Sequence, residues 1–133
     1  MKEQLISLET AKLAKEKGFN IFTDVCFANT PNSDNKQYKK IKLHHSHSVG
    51  SVDSFGNILT IVAYAPTQSL LQKWLREKHN IIVLVDYEGI DGYYYKYYYY
   101  INEVKKYNAS DKNYITFEEA YEIGLQEALK LIK

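Results

Sequence analysis

Apolar positions recur along this chain with two periods, and the switches between them mark its elements. Leu8, Ala11 and Ala14 or Lys15 fall at helical spacing and form one thin stripe. Ser7 stands where a side-chain oxygen can accept from the free N–H groups of a first turn. Ile6 and Ala11 occupy the positions of a weak hydrophobic staple, and Gly18 suits a left-handed stop. Over residues 20–28 the period drops to two, which predicts a strand. Ile21, Thr23, Val25 and Phe27 lie on one face, and Phe22, Asp24 and Cys26 on the other. Residues 29–37 are polar, contain Pro31 and read as a loop. Residues 38–45 alternate weakly, and their lysines suit an edge strand. A Ser/Gly-rich loop over 46–56 precedes a more apolar strand over 57–64.

Pro66 and the N-cap candidate Thr67 then open a helix over 68–78. Leu70, Leu71, Trp74 and Leu75 form its apolar face, and Gln72, Lys73, Arg76 and Glu77 point away. The apolar run 81–87 predicts a strand buried on both faces at its start. Asp91-Gly92 marks a hairpin turn, and residues 93–104 form a long partner strand. A polar loop over 108–113 leads to a capping box, Thr116 with Glu119. A last helix runs to about Ile132.

The order α-β-β-β-α-β-β-α predicts an α+β fold. Three helices lie mostly on one face of a largely antiparallel sheet of about five strands. The length of 133 residues fits a single domain spanning 1–133. Short loops after the second helix favour a β-α-β crossover followed by a hairpin.

Composition changes this picture little, with one exception. Apolar residues make up 45% and charged residues 25%, and the formal net charge is +1, so the whole chain carries no polyanion-binding signature. Cys26 is the one cysteine, which rules out an internal disulfide and suits a reducing compartment. The N-terminal residues lack the apolar core of a signal peptide, and no apolar run is long enough to span a bilayer. A cytoplasmic protein with no membrane partner is expected. The exception is tyrosine, at 13 residues. Seven of them fall between Tyr93 and Tyr100, interrupted only by Lys96. Alternation puts Tyr93, Tyr95, Tyr97 and Tyr99 on one face, and Tyr94, Lys96, Tyr98 and Tyr100 on the other. The three helices can cover one set, and the other has no evident cover. That strand reads as an ordinary face of residues with high β-propensity, as a protein interface, or as a platform for stacking bases or sugars.

Three further constellations carry chemistry. His45 and His47, which would share a strand face, are candidate ligands for a transition metal, with Asp53 or Asp34 to complete a site; the plain alternative is a solvated strand end. Cys26 could serve as a nucleophile beside a histidine, but a buried cysteine usually acts as a small hydrophobe. Lys39, Lys40 and Lys42 beside Tyr38 could hold a phosphate backbone, or simply keep an edge strand soluble. No phosphate loop, paired-cysteine or hydrolase motif occurs, and no cofactor is expected.

Three segments add a resemblance: Ala65-Pro66-Thr67 with the helix through Trp74-Leu75-Arg76-Glu77-Lys78, the tyrosine hairpin after it, and Thr116-Phe117-Glu118-Glu119-Ala120 with Gly124-Leu125 and Ala128-Leu129. Together they resemble small proteins of unassigned activity encoded by phages, prophages and mobile elements of Bacteroides-type gut bacteria. The resemblance covers roughly the C-terminal half and the first helix. It implies a bacterial cytoplasmic setting and an accessory role, and assigns no residues. The leading expectation is a non-enzymatic accessory protein that acts through protein contacts or self-association on its tyrosine face. The alternatives are a module for single-stranded nucleic acid and a metal- or thiol-dependent enzyme.

Overall fold

A computed structural model describes residues 3–23, 25–29, 38–42, 51–52 and 58–133. The fold is α+β, with three helices and antiparallel sheets among the described residues. The chain packs as two compact units: Ile6–Pro66, and Thr67–Lys133 together with Met1–Leu5. The strands are divided between two sheets instead of joining one. The second helix therefore links strands of different sheets, and the crossover expected from its short loops does not form.

In the first unit, α1 (Leu8–Glu16) starts where the sequence predicts. Thr10 N–H donates to the Ser7 hydroxyl at 3.3 Å, and Gly18 takes the left-handed backbone at φ +99° that ends the helix. Strands β1 (Val25–Asn29), β2 (Tyr38–Lys42), β3 (Ser51–Val52) and β4 (Ile58–Tyr64) form a sheet in the order β2-β1-β4-β3. Helix α1 lies against β4. Its buried residues are small, Thr10, Ala11 and Ala14, so a thin stripe still allows close approach. Ile6, Phe19, Cys26, Phe27, Ala28 and Ala63 are buried in the same unit. The Phe22 ring meets Tyr64 edge-on, with centroids 5.7 Å apart.

In the second unit, α2 (Gln68–His79) is N-capped by Thr67, whose hydroxyl accepts from Leu70 N–H at 3.1 Å. It ends on Asn80 in the left-handed region at φ 54°. Strands β5 (Ile82–Tyr87), β6 (Tyr93–Ile101) and β7 (Val104–Ala109) form an antiparallel meander in that order. Helix α3 (Phe117–Leu129) packs on β5 and β6, and α2 packs on α3 and β5. Thr116 caps α3, its hydroxyl accepting from Glu119 N–H at 3.1 Å. Gly124 lets α3 lie close on the sheet, because a Cβ there would stand 2.9 Å from both Tyr95 Cβ and Val83 Cγ1.

Three readings of this unit are corrected. Gln72 does not point away. It is buried, donates from Nε2 to the Ile81 carbonyl at 3.2 Å, and accepts from Val83 N–H at Oε1 at 2.7 Å. Its polar amide fits the interior because Ile81, just before β5, offers it an acceptor and Val83 in β5 offers it a donor. The β5 run is not buried on both faces: Ile81 and Val83 are buried, whereas Ile82 and Leu84 are 38% and 43% exposed. The long tyrosine strand stops at Ile101. Asn102 and Glu103, at φ 49° and 66°, make a two-residue turn into a further strand, β7.

Candidate interaction surface

The β5–β6–β7 sheet has two unlike faces, and register assigns every residue to one of them. Val83 pairs with Tyr97 and Val85 with Tyr95, while β6 pairs Tyr97 with Asn108 and Tyr99 with Lys106. This is the helix side. Tyr97 is buried, and Tyr93, Tyr95 and Tyr99 are half-buried. The rings of Tyr95, Tyr97 and Tyr99 follow one another at 6.3 and 6.0 Å. Asn108 Nδ2 donates to the Tyr97 hydroxyl at 3.2 Å, so that buried phenol has a polar partner. Burial pushes the Tyr95 phenol up to about 12, and does the same to Tyr121 on α3.

The opposite face carries the other set. Asp86 pairs with Tyr94, Leu84 with Lys96 and Ile82 with Tyr98 across β5 and β6. Lys96 pairs with Ala109, Tyr98 with Tyr107 and Tyr100 with Lys105 across β6 and β7. Tyr94, Lys96, Tyr98 and Tyr100, which the sequence singles out as an interaction surface, thus run down the centre of this face. Their neighbours Ile82, Leu84 and Tyr107 are exposed, as is Tyr100 itself, and β7 is exposed along its whole length.

Charges on the open face are largely matched within it. Lys96 Nζ lies 2.9 Å from Asp86 Oδ2. That hydrogen bond, followed by one from Tyr87 N–H, holds the Asp86 carboxyl below the usual carboxylate range. It also raises the Lys96 ammonium. Desolvation, followed by the Asp86 charge, raises the Tyr94 phenol. Lys105 Nζ sits 4.5 Å above the Tyr98 ring centroid, a cation–π arrangement. The Tyr98 ring in turn lies 5.2 Å from that of Tyr107.

The remaining candidates separate from this face. Lys39, Lys40 and Lys42 lie on β2, the edge strand of the other sheet, in register with Ala28, Phe27 and Val25. The tyrosine strand and this lysine strand therefore do not share a sheet. Cys26 is fully buried, and desolvation pushes its thiol up, away from the thiolate a nucleophile needs. His45 and His47, with Asp34 and Asp53, fall outside the described residues. Among the described residues no group of His, Cys, Asp and Glu could hold a metal, and no helix is long and apolar enough to cross a membrane.

Sequence reasoning missed Ile82, Leu84, Asp86, Lys105 and Tyr107 as members of the surface. Alternation within β5 carried part of the signal, because Ile82, Leu84 and Asp86 share a face once the hairpin register is set. The β7 members needed the Asn102-Glu103 turn to be recognised. Compared with family models, curated proteins and solved structures, the chain matches none.

Proposed function

We propose that this chain is a non-catalytic accessory protein, of the phage or mobile-element kind, that works by presenting the open face of its β5–β6–β7 sheet to another protein. One observation carries the reading: α3 packs on one side of the tyrosine strand, while the other side leaves Ile82, Leu84, Tyr100 and Tyr107 exposed around Tyr98. Exposed, contiguous aromatic and aliphatic side chains on a rigid sheet mark contact surfaces. The matched charges fit a protein better than a polyanion. Lys96 is engaged by Asp86, and Lys105 lies over a ring. A nucleic-acid groove needs lysines aimed at phosphates.

The test is a photo-crosslinking residue placed at Tyr98 in the bacterium that carries the gene. A control carries the same group at Glu77, an exposed position on α2. Discrete protein adducts from position 98 and few from position 77 are expected. Equal labelling at both, or no protein adduct at 98, overturns the reading. Salt-sensitive binding of an oligothymidylate that is lost on Tyr98→Ala would favour base stacking instead.

A further inference from the structure

We infer that the protein covering this face is a second copy of the same chain, stacked sheet on sheet about a two-fold axis; the inference rests on the reading above and names its partner. The layout of charge carries it. By register Asp86 and Lys105 occupy diagonal corners of the face; within one copy Asp86 engages Lys96 and Lys105 reaches the Tyr98 ring, so the contact adds a second partner to each. Asp86 lies on one outer strand opposite Tyr94, and Lys105 on the other outer strand opposite Tyr100. The six residue steps from Tyr94 to Tyr100 on β6 span about 20 Å. A two-fold axis lying in the contact plane, perpendicular to that diagonal, exchanges the corners. Each Asp86 then lies over the Lys105 of the other copy, and Lys96 and Tyr98, on either side of the midpoint, lie over one another, so that an ammonium meets a ring on each side of the axis. Such a face is complementary to itself, as an isologous contact requires.

The edges favour stacking over lateral pairing. At one edge the Gln72 amide occupies Ile81 O and Val83 N–H, and the Asp86 carboxylate accepts from Tyr87 N–H. The other edge, β7, carries the adjacent lysines Lys105 and Lys106, a common guard against strand addition. What is left is the broad face, one layer of a two-layer sandwich whose inner faces pack about 10 Å apart. Its exposed side chains amount to roughly 500 Å² per copy. A pair would bury about 1,000 Å², at the low end for specific contacts, so association is weak and depends on concentration.

Sedimentation velocity of the full chain from about 10 μM to about 1 mM tests this range of weak affinity. The expected mass rises from 15.5 kDa towards twice that value. Leu84→Glu, which sets a carboxylate in the middle of the contact, should keep the chain monomeric with an unchanged circular dichroism spectrum. Lys105→Glu should weaken association about tenfold or more, the loss of a favourable charge contact. Adding Asp86→Lys to that variant should recover much of the loss. A dimer indifferent to Leu84→Glu overturns the inference, because self-association then uses another surface. A strict monomer at 1 mM also overturns it. In that case, adducts to a different protein from the Tyr98 crosslinker leave the contact face standing, whereas adducts within the same chain, or none, remove both.

Discussion

Replacing Gln72 by alanine tests the joint between α2 and the tyrosine sheet. The side chain is 7% exposed and makes two hydrogen bonds to the backbone around β5, at 3.2 Å to Ile81 O and 2.7 Å from Val83 N–H. Ile81 and Val83 are themselves 4% and 2% exposed. Truncation leaves one buried donor and one buried acceptor without partners, at about 1–3 kcal/mol each. The lost side-chain volume adds a cavity cost of about 1 kcal/mol. A loss of about 3–7 kcal/mol is therefore expected, a large share of the stability of an ordinary domain. Urea unfolding followed by circular dichroism measures it. A loss below about 1 kcal/mol refutes the reasoning, because solvent must then already satisfy those groups.

Gln72→Glu separates hydrogen bonding from packing. When protonated, the new carboxyl can donate to Ile81 O and accept from Val83 N–H, as the amide does. When ionised, it faces a carbonyl in a buried site, so its folded pKa is raised above the unfolded value. The variant should match the wild type below the ordinary glutamate range, and lose stability relative to it as pH rises through the raised pKa. A deficit that does not change with pH would mean that packing, not the hydrogen bonds, decides the outcome.

Other expectations concern the sheet and its turns. Gly124→Val should destabilise by about 2 kcal/mol or more in thermal unfolding, since even a Cβ would press on Tyr95 and Val83 and the methyls must displace them. Glu103→Gly should stabilise by about 0.5–1 kcal/mol, because Glu103 is held at φ 66° in an exposed turn where glycine carries no steric cost. Tyr95 and Tyr121, raised to about 12, give stability that is full below the ordinary phenol range near 10 and is lost as pH climbs from there towards 12. Ultraviolet titration should show these two phenolates forming last and together with unfolding, and Tyr121→Phe should reduce that alkaline loss.

Local chemistry was legible in the sequence. Ser7, Thr67 and Thr116 cap their helices as read, because N-capping is settled within one turn. Alternation sorted the tyrosines of β6 into the correct two sets, since strand period leaves no choice once the strand exists. What the sequence hid depends on distant partners. Which strands share a sheet is decided by long-range pairing, so a single sheet was expected where the described strands form two. Gln72 looked like a solvent residue because only β5 reveals its bonds. Asn102-Glu103 lacks the glycine that usually announces a tight hairpin, so β7 was hidden in its neighbour and the surface lost Lys105 and Tyr107. The run Ile81-Ile82-Val83-Leu84 reads as doubly buried, yet only its odd positions meet the interior. An apolar run with one exposed face is itself a sign of a contact surface.

Iodination of tyrosines, mapped by mass spectrometry in dilute and concentrated protein, tests the central claim most directly. In dilute solution Tyr94, Tyr98, Tyr100 and Tyr107 should react well ahead of Tyr95 and Tyr97. Near 1 mM the first set should gain protection as their faces meet, consistent with a weak contact. Equal reactivity of the two sets in dilute protein would contradict an open face opposite α3, and unchanged reactivity on concentration would contradict its closure by a second copy.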